Sequence, residues 1–400
     1  MVKQQTLKGF RDFLPKEARK RQYVINILKQ VFESYGFEPL ETPALEYEEI
    51  LLGKYGEEGD KLMYRFTDRG KRKVAMRYDQ TVPLARVVAQ YQNRLPMPFK
   101  RYQIQNVWRA DNTQRGRFRE FLQVDLDTVG LDSFYADAEI IACISKCLDK
   151  LGFKKYKVLI NDRFIFYSGK LSTLAENELG PFMRSLDKIK KIGLDQVLDE
   201  MVSFNIPRKQ AETIINSVKD QKPTPKLQKI IDSLSELGVK NVKFEPTLVR
   251  GLDYYTGLIF EVEVEGYNEG SIAGGGRYDN LIGMFAGKNI PAVGFAFGFD
   301  RLIEAMTELK LFPDDLQITK VLVTVFSPEL LGKSIEISSR LRSNNINTEL
   351  YLDENASLEK QLKYADKKGI PYAVIIGPDE ASKNLVTLRN MKTREQLTLT

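Results

Sequence analysis

The chain has 400 residues, with 60 Lys or Arg against 54 Asp or Glu, a formal charge of +6 and no histidine, which removes the imidazole that Ser-His-Asp catalysis, Cys-His catalysis and histidine-ligated metal sites require. The two cysteines, Cys143 and Cys147, stand four apart in a helical run, a spacing that suits one buried helix face rather than a zinc site or a disulfide framework, so a reducing cytoplasm is the expected compartment. At 42% hydrophobic and 28% charged, with no apolar stretch near the roughly 20 residues of a membrane helix and no signal-peptide core in Met1 to Lys8, the composition is that of a globular protein of roughly two to four domains.

In chain order, Val24, Ile27, Leu28, Val31 and Tyr35 repeat at helical spacing and Gly36 follows as a helix stop, predicting an amphipathic helix over Glu17 to Tyr35. Phe37 to Leu45 reads as extended, and Pro39 and Pro43 put it at the border of a sheet. Lys73 to Asp79 alternates as a strand, and Thr81 and Pro83 then open a helix. Phe99 to Arg109 and Phe118 to Thr128 read as a long antiparallel hairpin joined by the polar loop Ala110 to Arg117. Ser168 to Leu237 reads as helical, and within it Pro181 to Ile230 holds ten basic residues against six acidic ones, a local +4 that suits either a nucleic-acid contact or a solvated helical lid. Pro246 to Val264 reads as further strand, Gly274 to Gly276 as a flexible turn, and Val293 to Met306 as a buried helix, apolar almost all round. After a break at Phe312 and Pro313, alternating strands and helices from Ile318 onward predict a separate α/β domain with a mostly parallel sheet.

Alternation also assigns faces. Arg101, Gln103, Gln105 and Arg109 share one side of the first hairpin arm; Arg117, Arg119, Phe121, Gln123, Asp125 and Asp127 share one side of the return arm. Such a tract suits a clamp for a polyphosphate, a purine and an amine, or else an exposed face of cross-strand ion pairs. Asp79 projects at a strand end, either into a site or as a helix cap. Arg250 is a lone cation beside Tyr254 and Tyr255, with an ion pair to Asp253 as the alternative. Arg301 follows Gly294 and Gly298 on the expected buried helix, where a guanidinium calls for an anion.

The order of these segments resembles the class II aminoacyl-tRNA synthetases, and within them the histidyl-tRNA synthetase family, over nearly the whole chain. Gly9 to Pro15 is similar to the family's opening, the first helix with Pro43 to motif 1, Asn106 to Asp111 through Arg117 to Phe121 to motif 2, and Gly294 to Arg301 to motif 3. Those three motifs mark the class. Arg250-Gly-Leu-Asp-Tyr-Tyr-Thr-Gly257 and Gly274-Gly-Gly-Arg-Tyr-Asp279 resemble the two histidine-specific signatures, while Arg77-Tyr-Asp-Gln-Thr-Val-Pro83 resembles the eukaryotic and archaeal form.

The resemblance implies an α+β fold: an antiparallel sheet core flanked by helices (residues 1–167 and 241–314), a helical insertion (168–240) and an α/β anticodon-binding domain (318–400). It implies ligation of L-histidine to tRNA(His) through a histidyl-adenylate, with ATP and Mg²⁺ as cofactors, no protein-bound zinc and a homodimer built on motif 1. By the same resemblance Arg250 and Arg109 are catalytic; Asp79, Thr81, Gln123, Asp127, Tyr254, Tyr255 and Tyr278 bind histidine; and Arg109, Asp111, Arg117, Phe121 and Arg301 bind ATP. The alternatives are the histidine-binding regulatory paralogue of ATP phosphoribosyltransferase, which usually lacks the anticodon domain, and a related synthetase for another amino acid.

Overall fold

The computed structural model describes residues 3–167, 174, 176–250 and 254–400, with the side chains of 56–58, 167, 176, 177, 190 and 191 set aside. Two compact units divide the chain, residues 1–312 and 313–400.

The first unit opens with α1 (Pro15–Ser34), whose Val24, Leu28, Val31 and Phe32 form the buried stripe predicted by their spacing, and Gly36 ends it in a left-handed conformation with φ +76°. Strand β1 (Glu38–Pro39) lies at the sheet border, where Pro39 is tolerated, and pairs parallel to a later strand. A small sheet follows, made of β2 (Leu45–Tyr47), β3 (Arg65–Thr67) and β4 (Lys73–Met76) in the order β2-β4-β3, with the short helices α2 (Glu48–Leu51) and α3 (Gly56–Lys61) between its first two strands. Helix α4 (Thr81–Tyr91) starts where Thr81 and Pro83 place it.

Next come β5 (Phe99–Trp108) and β6 (Glu120–Val129), an antiparallel hairpin of ten residues per arm. Helix α5 (Phe134–Lys150) is capped by the Ser133 hydroxyl, which accepts from the Tyr135 amide, and buries both cysteines. Strand β7 (Tyr156–Asp162) precedes helices α6 (Glu176–Asp187), α7 (Ile189–Ile192), α8 (Leu194–Ser203), α9 (Arg208–Lys219) and α10 (Pro225–Glu236). Helices α6 to α9 share an apolar cluster that includes Phe182, Leu186, Leu198, Met201, Ile214 and Ile215. Helix α10 instead sends Leu227, Ile230 and Leu234 into the core that contains α5.

Strands β8 (Val242–Phe244), β9 (Leu258–Val264), β10 (Ala273–Arg277) and β11 (Ala292–Gly298) complete an eight-stranded sheet in the order β1-β5-β6-β11-β10-β9-β7-β8. Only the two outermost pairings are parallel. Helix α11 (Gly283–Ala286) lies before β11, and α12 (Phe299–Glu308) follows it.

Three sequence expectations are corrected here. The Gly274 to Gly276 triplet is the middle of β10, not a turn. Val293 to Met306 is strand β11 followed by α12, not one helix; a strand in the middle of a covered sheet is apolar on both faces, so its run carries no period that separates it from a buried helix. Between Pro246 and Val264, among the described residues, strand is confined to the last seven, since β9 begins at Leu258.

The sheet has two unlike faces. Val124 and Leu126 of β6 join α1, α5, α10 and α12 in the main core. The odd positions of β5 and β6 face the other way, toward α4 and the loop after β10. An ion pair ties the sheet to α5: Arg277 of β10 donates to Asp137 at 2.7 and 3.0 Å, with side-chain exposures of 1% and 0%.

The second unit is built on β12 (Val321–Val323), α13 (Leu331–Ser343), β13 (Thr348–Leu350), α14 (Leu358–Lys368), β14 (Tyr372–Ile375), α15 (Pro378–Ser382), β15 (Val386–Asn390) and β16 (Gln396–Leu399). The sheet runs β13-β12-β14-β15-β16, parallel across its first three strands and antiparallel across the rest. Buried Gln361 satisfies its amide by donating to Val325 O and Ala356 O and accepting from Val325 N. Among the described residues no helix is long and apolar enough to cross a membrane.

Removing Asp137 leaves the buried Arg277 to the more exposed carboxylates of Asp279, at 3.1 Å, and Asp132, at 3.7 Å. Asp137→Ala is expected to destabilise the first unit by about 1–3 kcal/mol, below the cost of a wholly unpaired buried charge, and Asp137→Ala with Arg277→Met to recover most of that loss. Thermal unfolding of both variants checks it; equal destabilisation by the single and double changes would contradict it.

Candidate functional site

The floor of the site is the charged face of the hairpin. Its register sets Arg101 opposite Asp127, Gln103 opposite Asp125 and Gln105 opposite Gln123. Arg101, Gln103, Asp125 and Asp127 are all buried, so the face is not the exposed ion-pair ladder that alternation also allowed. An Arg101 nitrogen lies 2.7 Å from Asp127 and 3.9 Å from Asp125. The Gln123 amide donates to both Asp125 oxygens, at 2.9 and 3.0 Å, and the Tyr278 hydroxyl donates to Asp127. A Cβ on Gly294 would collide with that Asp127 carboxylate, so β11 must pass it with a bare backbone.

Asp79 stands beside this floor at the start of α4. Its carboxylate accepts from the Tyr55 hydroxyl at 2.7 Å and from the Val82 amide at 3.1 Å, so it braces the first turn of α4 while also facing the cavity. Tyr254, Tyr255 and Tyr278 pack as a cluster, with ring centroids 4.9 and 6.0 Å apart along the chain of three. Burial raises the pKa of Asp79 and Asp127, and pushes Asp125 up to about 8, against the pull of Arg101. Burial also holds the Tyr55, Tyr254 and Tyr278 phenols well above their usual value, which keeps them as neutral donors.

The rim is basic. Arg109 donates to Tyr78 O at 2.9 Å and to Gln123 at 3.3 Å, and its guanidinium lies 4.4 Å from the Tyr78 ring centroid and 5.3 Å from that of Phe121. Arg117 grips Asp111 with two bonds, at 2.9 and 3.1 Å. Arg250 pairs with Glu261 of β9; its sequence alternative, Asp253, lies outside the described residues. The Arg250 guanidinium crosses β10 at Gly274, where a Cβ would strike it, which explains why that strand position is glycine. Arg301 sits on the first turn of α12 and donates to Ser271 O at 3.2 Å.

These groups line one cavity of about 550 Å³, and every site residue named from the sequence is on its wall: Asp79, Thr81, Arg109, Asp111, Arg117, Phe121, Gln123, Asp127, Arg250, Tyr254, Tyr255, Tyr278 and Arg301. Arginines over aromatic rings at one end suit a nucleotide, and carboxylates with phenols at the other suit an amine and a polar ring.

The same residues fall in recognised sequence families. A family model described as Histidyl-tRNA synthetase matches residues 9–302, and one described as Anticodon binding domain matches 320–400. The chain belongs to the histidyl-tRNA synthetase family. It is 39% identical to the histidine–tRNA ligase of Cytophaga hutchinsonii, over 100% of this chain and 98% of the relative. It is 40% identical to that of Aeropyrum pernix, over 95% and 92%. The crystal structure of histidyl-tRNA synthetase from Nostoc sp. PCC 7120 superposes with a TM-score of 0.87 at 30% identity, covering 100% of this chain and 97% of that one.

For this family member, sequence reading missed several wall residues: Tyr55, Tyr78, Asp187 and Glu261. Tyr55 lies between two short helices, in a stretch with no periodic signal. Asp187 ends α6 and is the helical section's contribution to the cavity; burial pushes its pKa up to about 6, with Glu261 adding and Arg250 opposing. Glu261 was findable, since it is an acidic residue inside the strand-like run after Arg250.

Folding raises the pKa of Asp125, so the folded chain holds that proton more tightly than the unfolded one. The carboxyl's unfavourable contribution therefore grows as pH climbs from the ordinary Asp value of about 4 toward about 8. Asp125→Asn is expected to lose less stability than the parent across that window, seen as thermal midpoints that diverge in its favour with rising pH. Parallel curves would mean that Asp125 ionises without cost.

Proposed function

We propose that the chain ligates L-histidine to tRNA(His) in two steps at this cavity, and the observation that carries the reading is the basic rim and acidic floor meeting in one space. In the first step a histidine carboxylate oxygen attacks the α-phosphorus of ATP, forming histidyl-adenylate as the bond to diphosphate breaks. No proton needs to move, so a chain without histidine loses nothing; placement and positive charge do the work. In the second step a hydroxyl of the terminal tRNA ribose attacks the histidyl carbonyl, the bond to AMP breaks, and the hydroxyl proton leaves on the departing AMP phosphate.

Arg109 is placed to hold the α-phosphate and the substrate carboxylate together, since it reaches from the aromatic pair at the rim to Gln123 at the floor. Phe121 offers a ring face to the adenine, Arg117, steadied by Asp111, meets the outer phosphates, and Arg301 meets the γ-phosphate or the opposite adenine face. Arg250 approaches from across β10 and stabilises the pentavalent transition state. Glu261 and Asp187 are the rim carboxylates that would hold a Mg²⁺ brought in with ATP, and that ion would supply screening of the phosphate charge. Asp79, Thr81 and Gln123 take the α-ammonium, while Asp127, Tyr254, Tyr255 and Tyr278 satisfy the two ring nitrogens, which aliphatic side chains could not. The unit from residue 313 is read as the anticodon reader, α1 with the segment at Pro43 as the homodimer contact, and the cytoplasm as the compartment. The regulatory paralogue is disfavoured by Arg250 at this rim together with the match of residues 320–400 to an anticodon-binding domain.

Labelled diphosphate should exchange into ATP only when histidine is present; exchange with proline, or with no amino acid, would reject the specificity. Arg250→Ala should leave histidine and ATP binding nearly unchanged and slow adenylate formation by roughly 10²–10³-fold, and an unaltered rate would remove Arg250 from the mechanism. For the basic helical section, neutralising Lys188, Lys190 and Lys191 should raise the KM for tRNA and leave ATP exchange alone. Unmoved tRNA kinetics would return that section to a solvated lid.

A further inference from the structure

The floor of the cavity carries a charge imbalance that the proposed roles leave unassigned. Asp125 and Asp127 stand two residues apart on β6 and face the same way, and Arg101 on β5 is the cation that meets both. All three side chains are almost wholly out of water, at 0% exposure for Arg101 and no more than 4% for the two carboxylates. Two carboxylates against one guanidinium leave one negative charge in a place where an unmatched charge is costly.

Among the described residues, the other groups facing this spot do not cancel it. From β5 and β6 come the neutral amides of Gln103 and Gln123, and the latter is already spent on Asp125. From the start of α4 comes Asp79, which makes the region more negative and is reserved in the proposed reading for the α-ammonium. From the segments flanking β9 and β10 come Tyr254, Tyr255 and Tyr278, which stay neutral because burial raises all three. Arg109 and Arg250 stand at the rim, engaged with Gln123 and Tyr78 O and with Glu261. In the empty pocket the imbalance is met by a proton held on Asp125, whose affinity for it burial has raised.

We propose that Asp125 is a specificity-determining residue that sets the protonation state of the bound side chain, so that the pocket takes histidine's ring as the imidazolium cation. The inference rests on the histidine-binding reading above. On binding, the proton leaves the Asp125 carboxyl and appears on a ring nitrogen, so none need enter from solvent. The ring then presents two N–H donors to a floor rich in acceptors, and the Asp125–Asp127–Arg101 group keeps the single negative charge that balances it. A neutral ring would leave the proton on Asp125 and forgo the ion pair with the floor. A neutral side chain of similar shape is disfavoured for the same reason, which gives the pocket an electrostatic criterion in addition to shape.

The test is the ¹⁵N spectrum of ring-labelled histidine bound to the full chain, recorded about one pH unit above the ring's ordinary pKa, where free histidine is mostly neutral. Both ring nitrogens are expected at imidazolium positions in the parent protein. In Asp125→Asn the bound ring should revert to a neutral tautomer, with one protonated and one bare nitrogen, and histidine should bind about tenfold or more weakly. A neutral tautomer in the parent protein overturns the proposal while leaving histidine binding intact. No bound signal at saturating histidine would instead remove the histidine reading and this inference with it. The parent spectrum decides the matter even where the variant fails to fold.

Discussion

The organisation of the first unit depends on one constraint, the two-residue alternation of the β5–β6 hairpin. Even positions of β6 put Val124 and Leu126 into the main core with α1 and α5, while odd positions line up Gln123, Asp125 and Asp127 on the opposite face. A slip of one residue would send charges into the core and leucines into the cavity, so burial of the apolar face fixes the register. Fixing the register in turn fixes which charges meet: Arg101 faces Asp127 because the ladder pairs those two residues. The site is thereby positioned by the same burial that stabilises the fold.

Neighbouring strands are shaped around that face. β10 and β11 both present glycine where a rim or floor side chain crosses them, Gly274 beneath Arg250 and Gly294 beside Asp127. A central strand loses packing and gains backbone freedom with each glycine, so these positions give up local stability for access. The buried Arg277–Asp137 pair lies at the end of β10 and fastens it to α5, next to Tyr278, whose hydroxyl reaches Asp127.

Much of this was legible in sequence because alternation and helical spacing are local. Pro39 in an edge strand, α1 with its stop at Gly36, the hairpin and the strand–helix succession after residue 318 all appear where the residues place them. The resemblance to a synthetase family supplied what pattern alone did not, the convergence of segments as distant as Asp79 and Arg301 on one cavity. What failed did so for a physical reason. β11 is buried on both sides and so reads like a helix, and the β10 glycines read like a turn because their purpose is a tertiary clearance that no local period encodes. Tyr55 and Glu261 enter the site through contacts with Asp79 and Arg250, and a partner's identity is written only in the fold.

The rim shows how such a site avoids trapping its own cations. Arg117 is held by Asp111 and Arg250 by Glu261, and on the neighbouring loop Arg115 is held by Glu269, Glu304 and Glu308. A free guanidinium, half out of water, would sample many rotamers and bind the first anion to arrive. Parked on a carboxylate, it is already near its working position and already partly desolvated. On the proposed reading, nucleotide binding is then an exchange of one anion for another, so the net gain per contact is smaller than a bare count of charge pairs suggests. What the arrangement retains is orientation. On the same proposed reading, the transition state, which concentrates charge around one phosphorus, is the species best able to draw Arg109 and Arg250 together, and stabilisation is thereby kept for the step that needs it.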